Sequence, residues 1–148
     1  MKHTMTRPIA LATCLLMAAS HAPAQTTAHP DRPSLKGSWQ FRPRGTGCAE
    51  QYFFRSDGTL MVQSAHEISE STYALADQPE LGGFYKFDTQ VTQTNGRHDC
   101  QGKQTPVGKQ SSSYLRFEAN GNRLVLCREA NLSACMGPLI RLKGRIGT

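Results

Sequence analysis

The sequence predicts an all-β fold: an antiparallel meander of about seven or eight short strands, closed as a barrel or stacked as a sandwich. Three observations carry this expectation. Strand-like runs flank turn residues twice, at Ser56-Asp57-Gly58 and at Ala119-Asn120-Gly121-Asn122. Asp-Gly or Asn-Gly between alternating runs is a strong hairpin signal. Apolar residues then recur with a period of two rather than 3.6 along most of the chain. A single short stretch has a helical look, and no apolar run reaches the roughly 18 residues of a membrane-spanning helix.

The elements follow in order. Leu35–Arg42 (LKGSWQFR) puts Leu35, Trp39 and Phe41 on one parity, with mostly polar residues on the other. Pro43–Ala49, which holds Gly45 and Gly47, reads as a loop. Glu50–Arg55 (EQYFFR) and Thr59–Ala65 (TLMVQSA) form the first hairpin. Ser69–Asp77 (SESTYALAD) is the one helix candidate; it is short for a stable helix and equally compatible with a strand. An apolar-rich strand (GFYKFDTQV) lies within Gly82–Thr94 and ends at Asn95-Gly96. Arg97–Ser112, rich in Gly, Gln, Ser and Lys, reads as an exposed loop. Ser113–Glu118 and Arg123–Arg128 make the second hairpin, with Leu115 and Phe117 sharing a face, as do Leu124 and Leu126. Pro138–Lys143 (PLIRLK) is the last strand.

The N-terminus has a different character. Met1–Arg7 is basic, Ile9–Ala19 (IALATCLLMAA) is an apolar run, and Ala22-Pro23-Ala24 offers small residues at cleavage spacing. That combination reads as a secretory signal peptide over residues 1–24, cleaved after Ala24, and implies a periplasmic or secreted protein. Cys14 lies too early in the apolar run for a good lipoprotein signal. Thr26–Ser34 is polar and contains Pro30 and Pro33, so residues 25–34 read as a flexible leader to one domain over 35–148.

Processing would revise the composition. The full chain has 148 residues, 17 Lys+Arg, 11 Asp+Glu and a net charge of +6. Removing the first 24 takes away Lys2 and Arg7, leaving 124 residues and 15 basic against 11 acidic groups, a net charge of +4. No Lys/Arg cluster marks a nucleic-acid partner. Losing Cys14 also turns five cysteines into four: Cys48, Cys100, Cys127 and Cys135. An even number in an exported domain implies disulfides, with three possible connectivities. Cys127–Cys135, closing a tight loop, and Cys48–Cys100, tying the first loop to the long irregular segment, form the favoured pairing. By loop-closure entropy these bridges would contribute about 2.6 and 4.2 kcal/mol respectively. The spacing lacks the paired C-x₂-C of a zinc site.

Other chemistry is sparse. Cys100 in His98-Asp99-Cys100 reads as half of a disulfide rather than as a nucleophile. His66-Glu67 with Glu70 has no metal-ligand spacing and reads as a solvated turn. The glycines form neither a dinucleotide fingerprint nor a P-loop. No catalytic residue, metal or cofactor is expected. Aromatic density is the outstanding feature of the strands, and aromatics fill cores or line ligand pockets.

Gly37-Ser38-Trp39 carries the G-x-W pattern at the start of a first strand, and with the all-β meander the chain resembles the lipocalin-like and avidin-like (calycin-type) barrels. The resemblance implies a small antiparallel meander barrel, stapled here by disulfides. It also implies that Trp39 closes one end and packs on an Arg of a late strand, with Arg141 best placed and Arg128 second. Without the resemblance, Gly37 and Trp39 read as an ordinary strand with a buried aromatic.

The expected function is non-enzymatic: an exported, monomeric barrel that binds a small apolar ligand or a protein partner. Tyr52, Phe54, Tyr85 and Phe117 are the candidate ligand-facing residues, in a concave apolar pocket at the mouth opposite Trp39. The alternative is an inhibitor or immunity-type protein that blocks a partner enzyme through the 97–112 loop; a net charge of +4 disfavours a strongly basic target. An enzyme using His66 or His98 as acid or base is a third possibility.

Overall fold

The computed structural model describes residues 32–118 and 120–144. Residues 1–24, read as a signal peptide, and most of the segment read as a leader lie outside the described residues. Eight strands follow one another: β1 (Gly37–Phe41), β2 (Glu50–Phe54), β3 (Thr59–Ser64), β4 (Glu67–Leu75), β5 (Tyr85–Thr94), β6 (Gln110–Phe117), β7 (Arg123–Cys127) and β8 (Cys135–Arg141). Each pairs antiparallel with its sequence neighbours, and β8 pairs back onto β1, so the meander closes into a barrel. The closure is a barrel and not a sandwich, with Trp39 opposite Arg141 and Gln40 opposite Ile140.

Both sequence-read hairpins are present. The first runs in strict register from Glu50 opposite Ser64 to Phe54 opposite Leu60. Its turn is set by Gly58 at φ +81° and by Asp57, whose carboxylate accepts hydrogen bonds from the Thr59 amide and hydroxyl. In the second, Phe117 lies opposite Leu124, and Arg123 pairs with Glu118 at 2.8 Å on the outer face.

One open choice is resolved and three expectations are corrected. The helix candidate Ser69–Asp77 is strand, the body of β4, paired with β3 as far as Thr72 and with β5 from Ser69 to Leu75. This settles the choice left open in favour of strand: Glu67, Ser69, Ser71, Tyr73 and Leu75 face inward, and the polar members of that set hide the period of two. The exposed loop is shorter than read, because Gln110–Ser112 already pair with β5. Glu67 belongs to β4 and is buried, whereas only Ala65 and His66 form the exposed turn before it. The last strand begins three residues early, at Cys135, after a register shift against β7 between Leu124 and Leu126.

The interior has two halves of different chemistry. One is packed: Leu35, Trp39, Phe54, Leu60, Phe87, Leu115, Leu124 and Leu139 form a single buried cluster. Aromatic rings interlock through it, Phe54 edge-on to Tyr73 with centroids at 5.3 Å and Tyr85 edge-on to Phe117 at 6.1 Å. Offset and edge-on rings at such distances add to the area they bury. The other half carries polar side chains inward and is not filled.

The packed end is shut by Trp39 and Arg141. Trp39 is fully buried and its indole N–H donates to the Leu35 carbonyl at 2.8 Å. The Arg141 guanidinium lies 4.2 Å from the centre of that ring. It also donates to the carbonyls of Lys36 (2.6 Å), Ser34 and Gly121 (3.4 Å). Burial draws its pKa below the usual arginine value, though such a group stays charged. Gly37 suits the arrangement because its φ of +110° lies where side chains are rarely tolerated. The end of the leader is also held, since Arg32 donates to the Ala76 carbonyl at 2.5 Å.

Candidate functional site

At the end opposite Trp39 the barrel holds a cavity of about 740 Å³. That size falls within the ordinary range of small-molecule sites, about 300–1,000 Å³. An eight-stranded barrel has room inside either for packed side chains or for one small ligand. Here the two uses share the barrel. A separate groove of about 670 Å³ lies against β4–β6 and is bordered by short polar side chains such as Thr72, Asp88, Gln90 and Gln110.

The cavity walls follow from strand parity. On β2 the inward residues are Glu50, Tyr52 and Phe54, and on β3 they are Leu60, Val62 and Ser64. The inner column of β4 is Glu67, Ser69, Ser71, while Thr89 and Val91 face in from β5 and Ser111 and Ser113 from β6. Leu60, Val62, Phe87 and Leu126 give the lining an apolar component. Asp99, Lys109 and Arg128 come from the loops at the mouth. The lining is therefore amphiphilic rather than the purely apolar surface anticipated.

Two carboxylates are set into this wall. Glu50 is 8% exposed; it accepts from the Tyr52 hydroxyl at 2.6 Å and from the Ser64 hydroxyl at 2.9 Å. Glu67 is 3% exposed; it accepts from the Thr105 amide at 2.6 Å and the Thr105 hydroxyl at 3.0 Å. The Cys100 amide in turn donates to Ser64 at 3.0 Å. These bonds, with the Cys48–Cys100 disulfide, moor the β5–β6 loop to the barrel rim. Among the described residues neither carboxylate has a Lys, Arg or His partner.

The Tyr52 phenol is held protonated. Burial pushes its pKa well above the usual tyrosine range, helped by the Glu50 charge and by the hydrogen bond to it. A raised folded-state pKa stabilises the fold in full below the unfolded value of about 10 and progressively less as pH rises above it. Stability is thus expected to fall on the alkaline side of about pH 10, and Tyr52→Phe should flatten that fall. The same variant should lose about 1–3 kcal/mol at neutral pH, because Glu50 loses a donor. Urea unfolding of both proteins as a function of pH checks this; parallel alkaline limbs would contradict it.

Of the residues singled out in the sequence, Tyr52 lines the cavity. Phe54, Tyr85 and Phe117 stand in the packed half, among the interlocked rings. The Cys48–Cys100 and Cys127–Cys135 bridges are both formed. His66 and His98 are exposed at the surface. Sequence reading passed over Glu50, Ser69 and Ser71 and placed Glu67 in a solvated turn. The signal for Glu50 was its shared parity with Tyr52 and Phe54, which points a carboxylate inward on an aromatic strand.

Among the described residues no group of three or more His, Cys, Asp or Glu side chains is placed to hold a metal ion, and no helix is long and apolar enough to cross a membrane. No protein-family model, curated protein or solved structure matches the chain.

Proposed function

We propose that the chain is an exported, non-enzymatic barrel of the lipocalin-like type that takes one small ligand into its unfilled half. The observation that carries this reading is the division of the interior. A protein that needed only stability would gain by filling the cavity, since unfilled core volume destabilises by about 24 cal/mol per Å³. Instead, the chain closes one end with Trp39 and Arg141 and keeps the other unfilled behind a disulfide-moored rim. Export fits the pair of disulfides, which persist in oxidising compartments. The likeness to lipocalins rests on Gly37-Ser38-Trp39 and the Trp39–Arg141 stack. The mixed lining favours a ligand with an apolar body and a polar head, which modifies the expectation of a purely apolar one.

Phenylethanol, a small aryl alcohol, is a suitable probe. Titrated into the labelled protein, it is expected to move the amide resonances of Tyr52, Val62, Thr89 and Leu126 and to leave those of Trp39 and Leu139 in place. Ser69→Trp, which places a ring in the cavity, should abolish the response while the protein stays folded. Shifts scattered over the surface, or unchanged in the Ser69→Trp protein, would refute the reading.

A second reading rests on the β5–β6 loop. It is held at Cys100 and Thr105 and exposes Val107 beyond the rim. A preshaped projecting loop suits blockade of a partner enzyme, because little ordering entropy is lost on docking. Stoichiometric recovery of a periplasmic enzyme that is lost on Val107→Glu would favour it over the small-ligand reading.

A further inference from the structure

The two carboxylates of the cavity wall are buried, ionisable and bonded only to neutral donors. Glu50 is held by two hydroxyls, Glu67 by one amide and one hydroxyl. Buried carboxylates normally have a cationic partner, because removing a charge from water is expensive when nothing opposes it. The protein's own cations at this end, Lys109 and Arg128, are exposed on the rim, where water and salt screen them.

A second, independent observation lies on the same strand. Ser69 and Ser71 follow Glu67 down the inner column of β4, and each is only 6% exposed. Among the described residues neither hydroxyl has a hydrogen-bond partner in the protein. Yet no fully enclosed side-chain oxygen or nitrogen lacks one. Both hydroxyls therefore meet the cavity, which both residues line. Unpaired hydroxyls at this depth are available to a guest.

We infer that the guest is a small organic ammonium ion with an apolar body. It would lie with its ammonium group between the Glu50 and Glu67 carboxylates and the Ser69 and Ser71 hydroxyls. An ammonium has three N–H donors and no acceptor, which suits a wall that offers carboxylate and hydroxyl oxygens. Leu60, Val62, Phe87 and the Tyr52 ring receive the apolar body. The protonated Tyr52 phenol donates to Glu50 and so keeps that carboxylate facing the guest. Facing charges come from Glu50 and Glu67 in the wall, from Asp99 at the mouth, and from Lys109 and Arg128 on the opposing rim. The buried pair outweighs the rim cations because a charge acts more strongly where water is excluded.

The inference rests on the cavity reading above and is tested separately from it. Three probes share one body: phenethylamine (cationic), phenylethanol (neutral) and phenylpropionate (anionic). Measured by resonance shifts and calorimetry at neutral pH, phenethylamine is expected to bind about tenfold to a hundredfold more tightly than phenylethanol, the range of a charge-assisted hydrogen bond. Phenylpropionate should bind most weakly. Glu50→Gln and Glu67→Gln should each bring the affinity for phenethylamine down toward that for phenylethanol measured in the same variant. Circular dichroism and a cooperative urea transition show the variants to be folded. Ser69→Ala with Ser71→Ala should weaken the amine without inverting the order. Equal affinity for amine and alcohol, or a preference that survives both Gln variants, would overturn the ammonium inference and leave the cavity reading standing. Failure of all three probes to perturb cavity residues would overturn the cavity reading itself.

Discussion

Replacing Trp39 by alanine is expected to lower the stability of the barrel by about 3–5 kcal/mol, the range for deleting a fully buried large aromatic. Small domains have about 5–15 kcal/mol in total, so this one change should bring the protein close to unfolding. The reasons are specific. Trp39 has no exposed surface, packs on Phe117 with centroids at 6.4 Å, and supports the Arg141 guanidinium on its face. Its removal opens a cavity beneath Arg141 and removes the indole donor to the Leu35 carbonyl. Trp39→Phe should cost less, since a ring remains. Arg141→Lys should cost about 1–3 kcal/mol, because a single ammonium cannot reproduce a planar fork donating to three carbonyls. Urea unfolding ranks the three. A loss below about 1 kcal/mol for Trp39→Ala would show that the closed end is not where this fold is held.

The second large effect is expected from the disulfides. Cys48 and Cys100 are 52 positions apart, and Cys127 and Cys135 are 8 apart. Loop-closure entropy assigns about 4 kcal/mol to the longer bridge and about 2.6 kcal/mol to the shorter. Replacing Cys48 and Cys100 together by serine should therefore destabilise more than replacing Cys127 and Cys135. The position of the longer bridge adds a functional consequence. It anchors the β5–β6 loop, whose Cys100 and Thr105 amides contact the Ser64 hydroxyl and the Glu67 carboxylate in the cavity wall. Without it, hydrogen exchange should quicken at Cys100–Lys109, and probe binding should weaken beyond what stability alone explains. The Cys127–Cys135 variant should leave the exchange of that loop unchanged. The opposite ranking in unfolding, or an unperturbed loop, would contradict this account.

The sequence revealed the fold wherever one side of a strand is apolar and a turn is written in glycine. The β2–β3 hairpin is the clearest case: Tyr52 and Phe54 alternate with Gln51 and Phe53, and Asp57-Gly58 reverses the chain. The β4 strand was harder to read because its inward residues are polar, so parity no longer coincides with hydrophobicity. The same cause hid the cavity. A strand that lines a wet half-barrel looks like a solvated segment, and Ser69, Ser71 and Glu67 differ from surface residues only in what they face. Glu50 was legible in principle, from its place beside two aromatics. Glu67 was not, since its burial depends on Thr105, which is 38 residues distant and on a different loop. Cysteine pairing was accessible only as a preference: spacing favoured a local bridge at Cys127–Cys135, but three connectivities stay open until the fold sets Cys48 beside Cys100. Closure of the meander depended on Trp39 and Arg141, which lie at opposite ends of the chain.

That closure has a bearing on how the protein behaves in a crowded compartment. A strand at the margin of an open sheet offers unpaired backbone groups to any neighbour and invites aggregation. A cylinder has no margin. The ladder that completes it here is the shortest in the ring, only two residue pairs long, and one of those pairs is Trp39 with Arg141. The stacked ring and guanidinium therefore act as a clasp, holding two strands that would otherwise become sticky borders. Damage to the clasp would expose the edges of β1 and β8 together, converting a closed ladder into a template for fibre growth. The absence of open edges in this sheet thus rests on one cation lying over one indole.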